Sequence, residues 1–347
     1  MTLVENTDAG AARLYESFRQ YWHPVAYSSE LGDAPMNVRL LDHEVVLVRL
    51  AGEVRAFYDL CVHRGTPLSL GFVDNDRLRC AYHGWAYDCS GVCTEIPSVK
   101  GGRIPGRARL RRYQAAERCG IVWVCLEDEP RFGLPEFVHF DDPEFRVLEV
   151  AAYDWRCSAP RRFENVVDFA HFAWLHEGLL GSRDRPEVPR HEVRREGGEI
   201  RVEIEFEEPS DTQKNANLGL ADENVTAEKR YRLFMPFSAL NEQCFPDGKR
   251  YVLFWAFSPL GPKLTRTFTL IARNYGLTPE GDHDVLSFNE EVIAADKPVV
   301  EGQRPEELPF DLTAELHIRE ADRVSIEYRK WLYELAADVP VSVRSQA

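Results

Sequence analysis

Two short stretches decide how this chain is read: Cys61-Val-His63-Arg-Gly65 and Cys80-Ala-Tyr-His83-Gly84-Trp85, with sixteen residues between His63 and Cys80. Each offers one thiolate and one imidazole. A [2Fe–2S] centre of the Rieske type holds one iron with two Cys and the other with two His, so two loops that each give one of both kinds can clasp it. Gly65 and Gly84 let the backbone turn sharply beside the sulfurs. A Cys2His2 zinc site competes for the same residues, but zinc knuckles usually pair Cys with Cys and His with His. Here each knuckle is mixed. The expected cofactor-binding residues are therefore Cys61, His63, Cys80 and His83.

Around these loops the pattern is that of strands. Val45 to Val48 and then Val54, Ala56 and Phe57 flank a hairpin turned by Gly52, and short strands continue through Leu78, Trp85 to Tyr87 and Ile121 to Leu126. The first domain, 1–130, reads as all-β with a preceding helix over 9–22, whose Leu14, Phe18, Tyr21 and Trp22 share a stripe before Pro24. Residues 127–143 have linker composition, rich in Pro, Gly and acid. The second domain, 131–347, alternates in runs at 191–207, 225–237, 249–258 and 264–274, which predicts an antiparallel sheet. Helices are expected from Arg161 to about Gly178, from Asp284, and from about Glu320, where Ala321, Val324, Tyr328, Trp331, Leu332 and Leu335 form an apolar stripe toward the sheet. The fold class is α+β. Residues 208–223 are polar and turn-rich and read as a loop over a pocket.

At 347 residues the chain is long enough for two separate cores. Its formal charge of −15 argues against a nucleic-acid partner and against an anionic membrane surface. Charge is uneven: residues 35–114 carry twelve Arg or Lys against eight Asp or Glu, a net of +4 that leaves −19 elsewhere. The stretch 96–116 holds six basic residues and no acid, which reads as a solvated loop or as a docking face for an acidic electron donor. No apolar run approaches membrane-span length and no signal segment opens the chain, so the expected location is cytoplasmic. The eight Cys then read as reduced thiols, with Cys89 and Cys93 as small buried residues of a turn at Gly91.

A second metal site is written in Glu164-Asn165-Val-Val-Asp168-Phe-Ala-His171-Phe-Ala-Trp-Leu-His176-Glu-Gly178. At about 100° per residue, positions five apart differ by roughly 140° around a regular helix, so His171 and His176 converge only if a wider turn or a break intervenes. Two imidazoles and one carboxylate with open positions make the facial triad of oxygen-activating non-haem Fe(II). A His pair on an aromatic helix is by itself weak evidence, but beside an electron-transfer cluster it supplies the acceptor that the cluster needs. Spacing alone does not find the carboxylate among 57 acids.

Taken together, the two Cys/His loops, Asn165-x-x-Asp168-x-x-His171-x4-His176, and Ala295-Asp296-Lys-Pro-Val-Val-Glu301-Gly-Gln303 resemble the catalytic subunit of Rieske non-haem iron oxygenases. The likeness spans nearly the whole length. Tyr21-Trp-His-Pro24, Arg162-Phe-Glu-Asn165 and Asp322 to Leu332 are most similar to methylxanthine N-demethylases and related aromatic O- or N-demethylating oxygenases. The resemblance implies a helix-grip catalytic domain and Asp296 as the carboxylate beside His171 and His176. It also implies Asn165 and Asp168 as catalytic residues, Asp168 bridging to a cluster His of a neighbouring subunit, and a ring-shaped homotrimer. Pro298 lacks an N–H and is expected to kink the helix beside Asp296. On that helix Asn289 and Val292 lie seven and four residues before Asp296, on its face, and are the expected substrate hydrogen-bonder and pocket wall. The disulfide that joins the cluster loops of high-potential respiratory Rieske proteins has no counterpart, since Thr66 and Tyr82 stand there. A potential toward the low end of the Rieske range is expected.

The implied reaction uses O2 and electrons delivered from NAD(P)H by a separate reductase or ferredoxin. One oxygen atom enters a C–H bond of a small aromatic or heterocyclic molecule, and an N- or O-methyl substrate then loses formaldehyde. Ring or alicyclic hydroxylation is the alternative within the family. An electron carrier fused to a ligand-binding domain, with His171 and His176 merely structural, is the alternative of another class; it would hold about two irons per chain against about three.

Overall fold

The computed structural model describes residues 8–99, 101–208, 225–309 and 311–338. The chain divides into two units, one of residues 19–134 with 258–261, the other of residues 1–18, 135–257 and 262–347. In the first unit, β1 (His23–Tyr27), β2 (Met36–Leu40), β3 (His43–Leu50) and β4 (Glu53–Tyr58) are followed by two short hairpins. These are β5 (Phe72–Asp74) with β6 (Arg77–Arg79) and β7 (Ala86–Tyr87) with β8 (Cys93–Glu95); β9 (Arg112–Arg118) and β10 (Ile121–Cys125) close the set. A six-stranded sheet runs in the order β1-β10-β9-β4-β3-β2, and a four-stranded sheet in the order β5-β6-β7-β8.

Four of the turns obey one rule. Leu41-Asp42, Ala51-Gly52, Asn75-Asp76 and Cys119-Gly120 each have positive φ at both residues and join strands in direct register. That is the conformation whose twist matches the flanking strands of a two-residue hairpin. The core beneath is built from Val46, Val48, Phe57, Leu68, Leu78, Tyr87 and Leu110, and it encloses Cys61 and Cys80.

The second unit centres on a seven-stranded antiparallel sheet. Its strands are β11 (Arg146–Trp155), β12 (His191–Glu196), β13 (Glu199–Glu208), β14 (Val225–Phe234), β15 (Ser238–Cys244), β16 (Arg250–Gly261) and β17 (Leu264–Arg273), in the order β11-β17-β16-β15-β14-β13-β12. Helices α1 (Asp8–Ser17), α2 (Ala159–Val167), α3 (Pro279–Gly302) and α4 (Arg323–Asp338) accompany it. Strand β15 is absent from the sequence expectation because Ser-Ala-Leu-Asn-Glu-Gln-Cys is too polar to register as a buried strand. Helix α3 begins at Pro279, earlier than expected, where the Thr278 hydroxyl accepts from the Gly281 N–H at 3.2 Å.

Three expectations are corrected. The N-terminal helix ends at Ser17 and groups with the second unit rather than with residues 1–130. Its stripe serves two cores: Phe18 meets Phe237 edge-on at 4.6 Å, whereas Tyr21 lies 5.8 Å from Phe132. The helix expected from Arg161 to about Gly178 stops at Val167. The apolar stripe of α4 faces α1 and α2 as well as β12, with Phe163 of α2 4.5 Å from Tyr328. The loop expected at 208–223 lies, beyond Glu208, outside the described residues. Among the described residues, no helix is long and apolar enough to cross a membrane.

Candidate metal centres

The two Cys/His loops adopt the same turn. The N–H of Gly65 donates to the Cys61 carbonyl at 2.9 Å and that of Gly84 to the Cys80 carbonyl at 3.0 Å. Each Cys N–H in turn donates to a carbonyl just beyond the glycine, Thr66 at 2.8 Å and Trp85 at 2.9 Å. Both glycines sit at φ +69, in the left-handed region that only a residue without Cβ adopts freely. Cys61 and Cys80 are buried, and all eight cysteines are free thiols. The imidazoles of His63 and His83 stand 4.6 Å apart, with the Trp85 indole stacked on His63 at 4.6 Å.

The four residues thus form a thiol pair and an imidazole pair rather than one four-ligand knot. That arrangement fits a two-iron cluster with unlike ends and not a tetrahedral zinc. Burial, with Cys80 alongside, pushes the Cys61 thiol above its ordinary pKa, and the Tyr87 hydroxyl at 3.1 Å works the other way. Tyr87 is a neighbour of the cluster loops that spacing does not reveal. Cys93 is buried as expected, whereas Cys89, on the other side of the turn at Gly91, is exposed and corrects that expectation.

The second site grows out of the end of α2. Ser158 caps the helix, its hydroxyl accepting from the Arg161 N–H at 3.3 Å, and the helix breaks at Asp168, whose backbone is extended. A 3-10 turn, Ala170–Ala173, follows. The His171 carbonyl accepts from the N–H groups of Trp174 and Leu175, and the His176 carbonyl from those of Leu179, Leu180 and Gly181. These two tight turns swing both imidazoles to one side, which a continuous helix would not do. Gly181 is required there, because a Cβ would lie 2.7 Å from the Phe172 backbone.

Helix α3 brings the third side chain. Among the described residues, one group of three or more His, Cys, Asp or Glu gathers its ligand atoms within 4.8 Å of one another, and it is His171, His176 and Asp296. The Asp296 Oδ1 lies 3.1 Å from His176 Nε2 and 3.6 Å from His171 Nε2. Burial would raise the Asp296 pKa, but His176, His171 and Arg162 more than offset it and hold the carboxyl below the usual range. Two imidazole nitrogens and one ionised carboxylate oxygen are the donor set that suits ferrous iron. Behind them, His171 Nδ1 is 3.6 Å from Asp168 Oδ2, and the Asn165 amide donates to Asp296 Oδ1 at 3.4 Å. Arg162, to which spacing assigns no role, donates to Asn165 Oδ1 at 2.7 Å and lies over the Trp155 ring at 4.1 Å. It braces the Asn165 amide that touches the carboxylate.

The triad sits in the wall of a cleft of about 730 Å³ of non-protein space, part of it open to solvent. Phe172, Leu180, Leu253, Trp255, Phe288 and Ile293 make it largely apolar. Asn289 and Val292 line it, on the same helix as Asp296. So do Asn241 and Gln243 of β15, which sequence reasoning missed; their signal was period-two polarity in a run now known to be a strand.

Comparison with known proteins agrees with this architecture. Residues 21–114 match the Rieske [2Fe-2S] domain, and residues 155–338 match the vanillate O-demethylase oxygenase C-terminal domain. Methylxanthine N1-demethylase NdmA of Pseudomonas putida is 35% identical over 330 residues, covering 92% of this chain and 90% of that protein. Methylxanthine N3-demethylase NdmB of the same organism is 34% identical, covering 92% and 89%. The structure of NdmA with caffeine superposes with a TM-score of 0.86 at 34% identity, over 94% of this chain and 93% of that one. Dicamba monooxygenase bound to dicamba superposes at 0.78 with 26% identity, over 92% and 98%. With both domains matched in order and relatives aligned over nearly their whole length, the chain belongs to the Rieske non-haem iron oxygenases, enzymes with a [2Fe–2S] cluster and a mononuclear iron that draw electrons from a reductase.

Proposed function

We propose that this protein is the oxygenase component of a demethylating system, acting on the N- or O-methyl group of a small planar aromatic or heterocyclic substrate. The observation that carries the reading is the convergence of His171, His176 and Asp296 in the wall of a largely apolar cleft. In this reading Cys61, His63, Cys80 and His83 hold the cluster, and His171, His176 and Asp296 hold the iron. When bound, the two groups supply the electrons and the activation of dioxygen; the protein supplies position and exclusion of water.

The chain's own residues have definite tasks. Phe172, Leu253, Trp255 and Phe288 give a flat substrate apolar surface, and Asn289 and Val292 set its register along α3. A methyl group pointed at the triad is converted to hydroxymethyl, whose hemiaminal or hemiacetal carbon then leaves as formaldehyde while the nitrogen or oxygen keeps a proton. Asn165 and Arg162 keep the Asp296 carboxylate oriented. Asp168 links His171 to the surface, where a second hollow lined by Asp168, His171, Val299 and Leu316 opens. Leu316 is 91% exposed and Val299 49%. This exposed apolar rim supports docking of another copy's cluster loops, whose Val62 and Tyr82 are likewise exposed, in a homotrimer with Asp168 as the bridge.

The relatives define the first probes, since NdmA is known with caffeine and its QL mutant with theobromine. The test is a panel of N-methyl heterocycles and O-methyl aromatics, supplied with a surrogate reductase and NAD(P)H, with formaldehyde and product mass as readouts. Formaldehyde in step with substrate loss is the expected result. A hydroxylated product without formaldehyde replaces demethylation by ring or alicyclic hydroxylation, and no product with two irons per chain leaves only an electron carrier.

A further inference from the structure

The sheet side of the cleft carries an unusual set of polar groups. Across β14, β15 and β16 the register places Lys229 beside Gln243 and Gln243 beside Tyr251, with Tyr231, Asn241 and Leu253 in the next row. Side chains two apart on a strand share a face, and all six line the cleft. Asn241 is 3% exposed and Gln243 5%. The amide oxygen of each has no hydrogen-bond partner.

Helix α3 adds a third. The Asn289 amide nitrogen donates to the Tyr251 hydroxyl at 2.6 Å and to the Val285 carbonyl at 3.3 Å. Turning that amide over would set its oxygen against the Val285 carbonyl oxygen, so the orientation is fixed. Both its hydrogens are committed, and Oδ1 is left as the acceptor end.

Buried polar groups in folded proteins nearly always find partners, and those left without one gather where a ligand completes them. Two unpartnered amide oxygens, with the Asn289 Oδ1 beside them, call for a ligand that brings hydrogen-bond donors. A primary amide is best matched by an edge that carries N–H beside C=O, because that edge satisfies the amide in either orientation.

We propose that Asn241 and Gln243, with the Oδ1 of Asn289, determine specificity in this cleft, and that the preferred substrate is an N-methylated lactam or imide heterocycle that keeps at least one ring N–H beside a carbonyl. The proposal rests on the reading of the cleft as the substrate site. A fully N-methylated ring brings no donor and presses a methyl against oxygens that are already unpaired. A site built for N–H rejects the analogue without it more strongly than an apolar pocket rejects an extra methyl.

The test is anaerobic titration calorimetry of the holoenzyme with theobromine and caffeine, which differ by hydrogen or methyl on one ring nitrogen. Theobromine is expected to bind at least about tenfold more tightly. In the double variant Asn241→Leu with Gln243→Met the preference should fall to within about twofold, with iron content and circular dichroism unchanged. If the double variant does not fold, Asn241→Leu alone is read the same way and should reduce the preference about threefold. Equal affinities in the wild type, a preference for caffeine, no binding of theobromine, or a preference unchanged by the substitutions each overturns the proposal. The readout needs no turnover. A strong N–H preference without formaldehyde from any substrate would therefore remove the demethylation reading and leave this one standing.

Discussion

The two candidate metal centres are built on opposite plans. The cluster loops lie within residues 61–85, and each closes on itself through the same pair of backbone hydrogen bonds around a left-handed glycine. The iron triad joins a pair of tight turns after α2 to a helix 120 residues further on, and it holds together only because the second unit is folded. The first is a local device that a short sequence specifies. The second is a convergence, and its ligands depend on groups that bind no metal, Arg162, Asn165 and the buried network under α2 among them.

The sharpest way to break this comparison is to empty one site at a time. His171→Ala should abolish oxygenation, at least about a thousandfold, and lower iron from about three to about two per chain while the cluster's EPR signal persists. Cys61→Ser should remove the cluster and leave the mononuclear iron, as iron analysis and visible absorption would show. Loss of both centres in either variant would mean that the two regions are not independent.

Next in size is the link proposed between them. Asp168→Asn keeps the hydrogen-bond shape but removes the charge 3.6 Å from His171 Nδ1. Both centres should remain, and reoxidation of the reduced cluster in a single turnover should slow by about 10- to 100-fold. Unchanged kinetics would take Asp168 out of the electron path.

The convergent site should also be the more sensitive to the fold's stability. Arg329, 2% exposed, donates to Glu164 at two distances of 2.6 Å and to Glu315 at 2.6 Å, and Arg161 pairs with the same Glu315 at 2.7 Å. Arg329→Met leaves two carboxylates short of a partner and should cost about 3 kcal/mol, read as a lower melting temperature together with loss of mononuclear iron before the cluster. Burial would raise the Glu315 pKa, yet the two arginines hold it at about 2 against an ordinary 4.5. A lowered carboxylate pKa stabilises the fold fully above the unfolded value and less as acid is added. This contribution is therefore lost as the pH falls from 4.5 toward 2, and acid should release the mononuclear iron along with it.

The smallest effect is at the start of α2. The Ser158 hydroxyl accepts from Arg161 N–H and from Leu308 N–H, so Ser158→Ala should cost about 1 kcal/mol without changing iron content. A larger loss would mean that the cap itself aims the turn carrying His171.

How much of this was legible beforehand follows from the same contrast. The mixed Cys/His loops were readable because their chemistry is held in two adjacent turns, and Gly65 and Gly84 mark the places where the backbone must turn left. His171 and His176 were readable only with a stated problem, since a regular helix would point them apart; the break at Asp168 answers it. Strand β15 was not visible because Asn241 and Gln243 interrupt the apolar alternation, and what makes the segment a strand is its pairing with a strand on either side. The stripe of the first helix was visible, but not that Phe18 and Tyr21 would enter different cores.

By itself, then, the sequence determined two mixed Cys/His loops as the candidate cluster site, the order of an all-β region before an α+β region, and a pair of candidate imidazoles; the carboxylate came from resemblance alone. Only the tertiary structure decided that Asp296 meets them, which side chains brace it, and that two unpaired amide oxygens line the cleft. The physical reason is range: turn geometry and metal preference act over a few residues, whereas convergence and burial are set by strands and helices that meet from opposite ends of the chain.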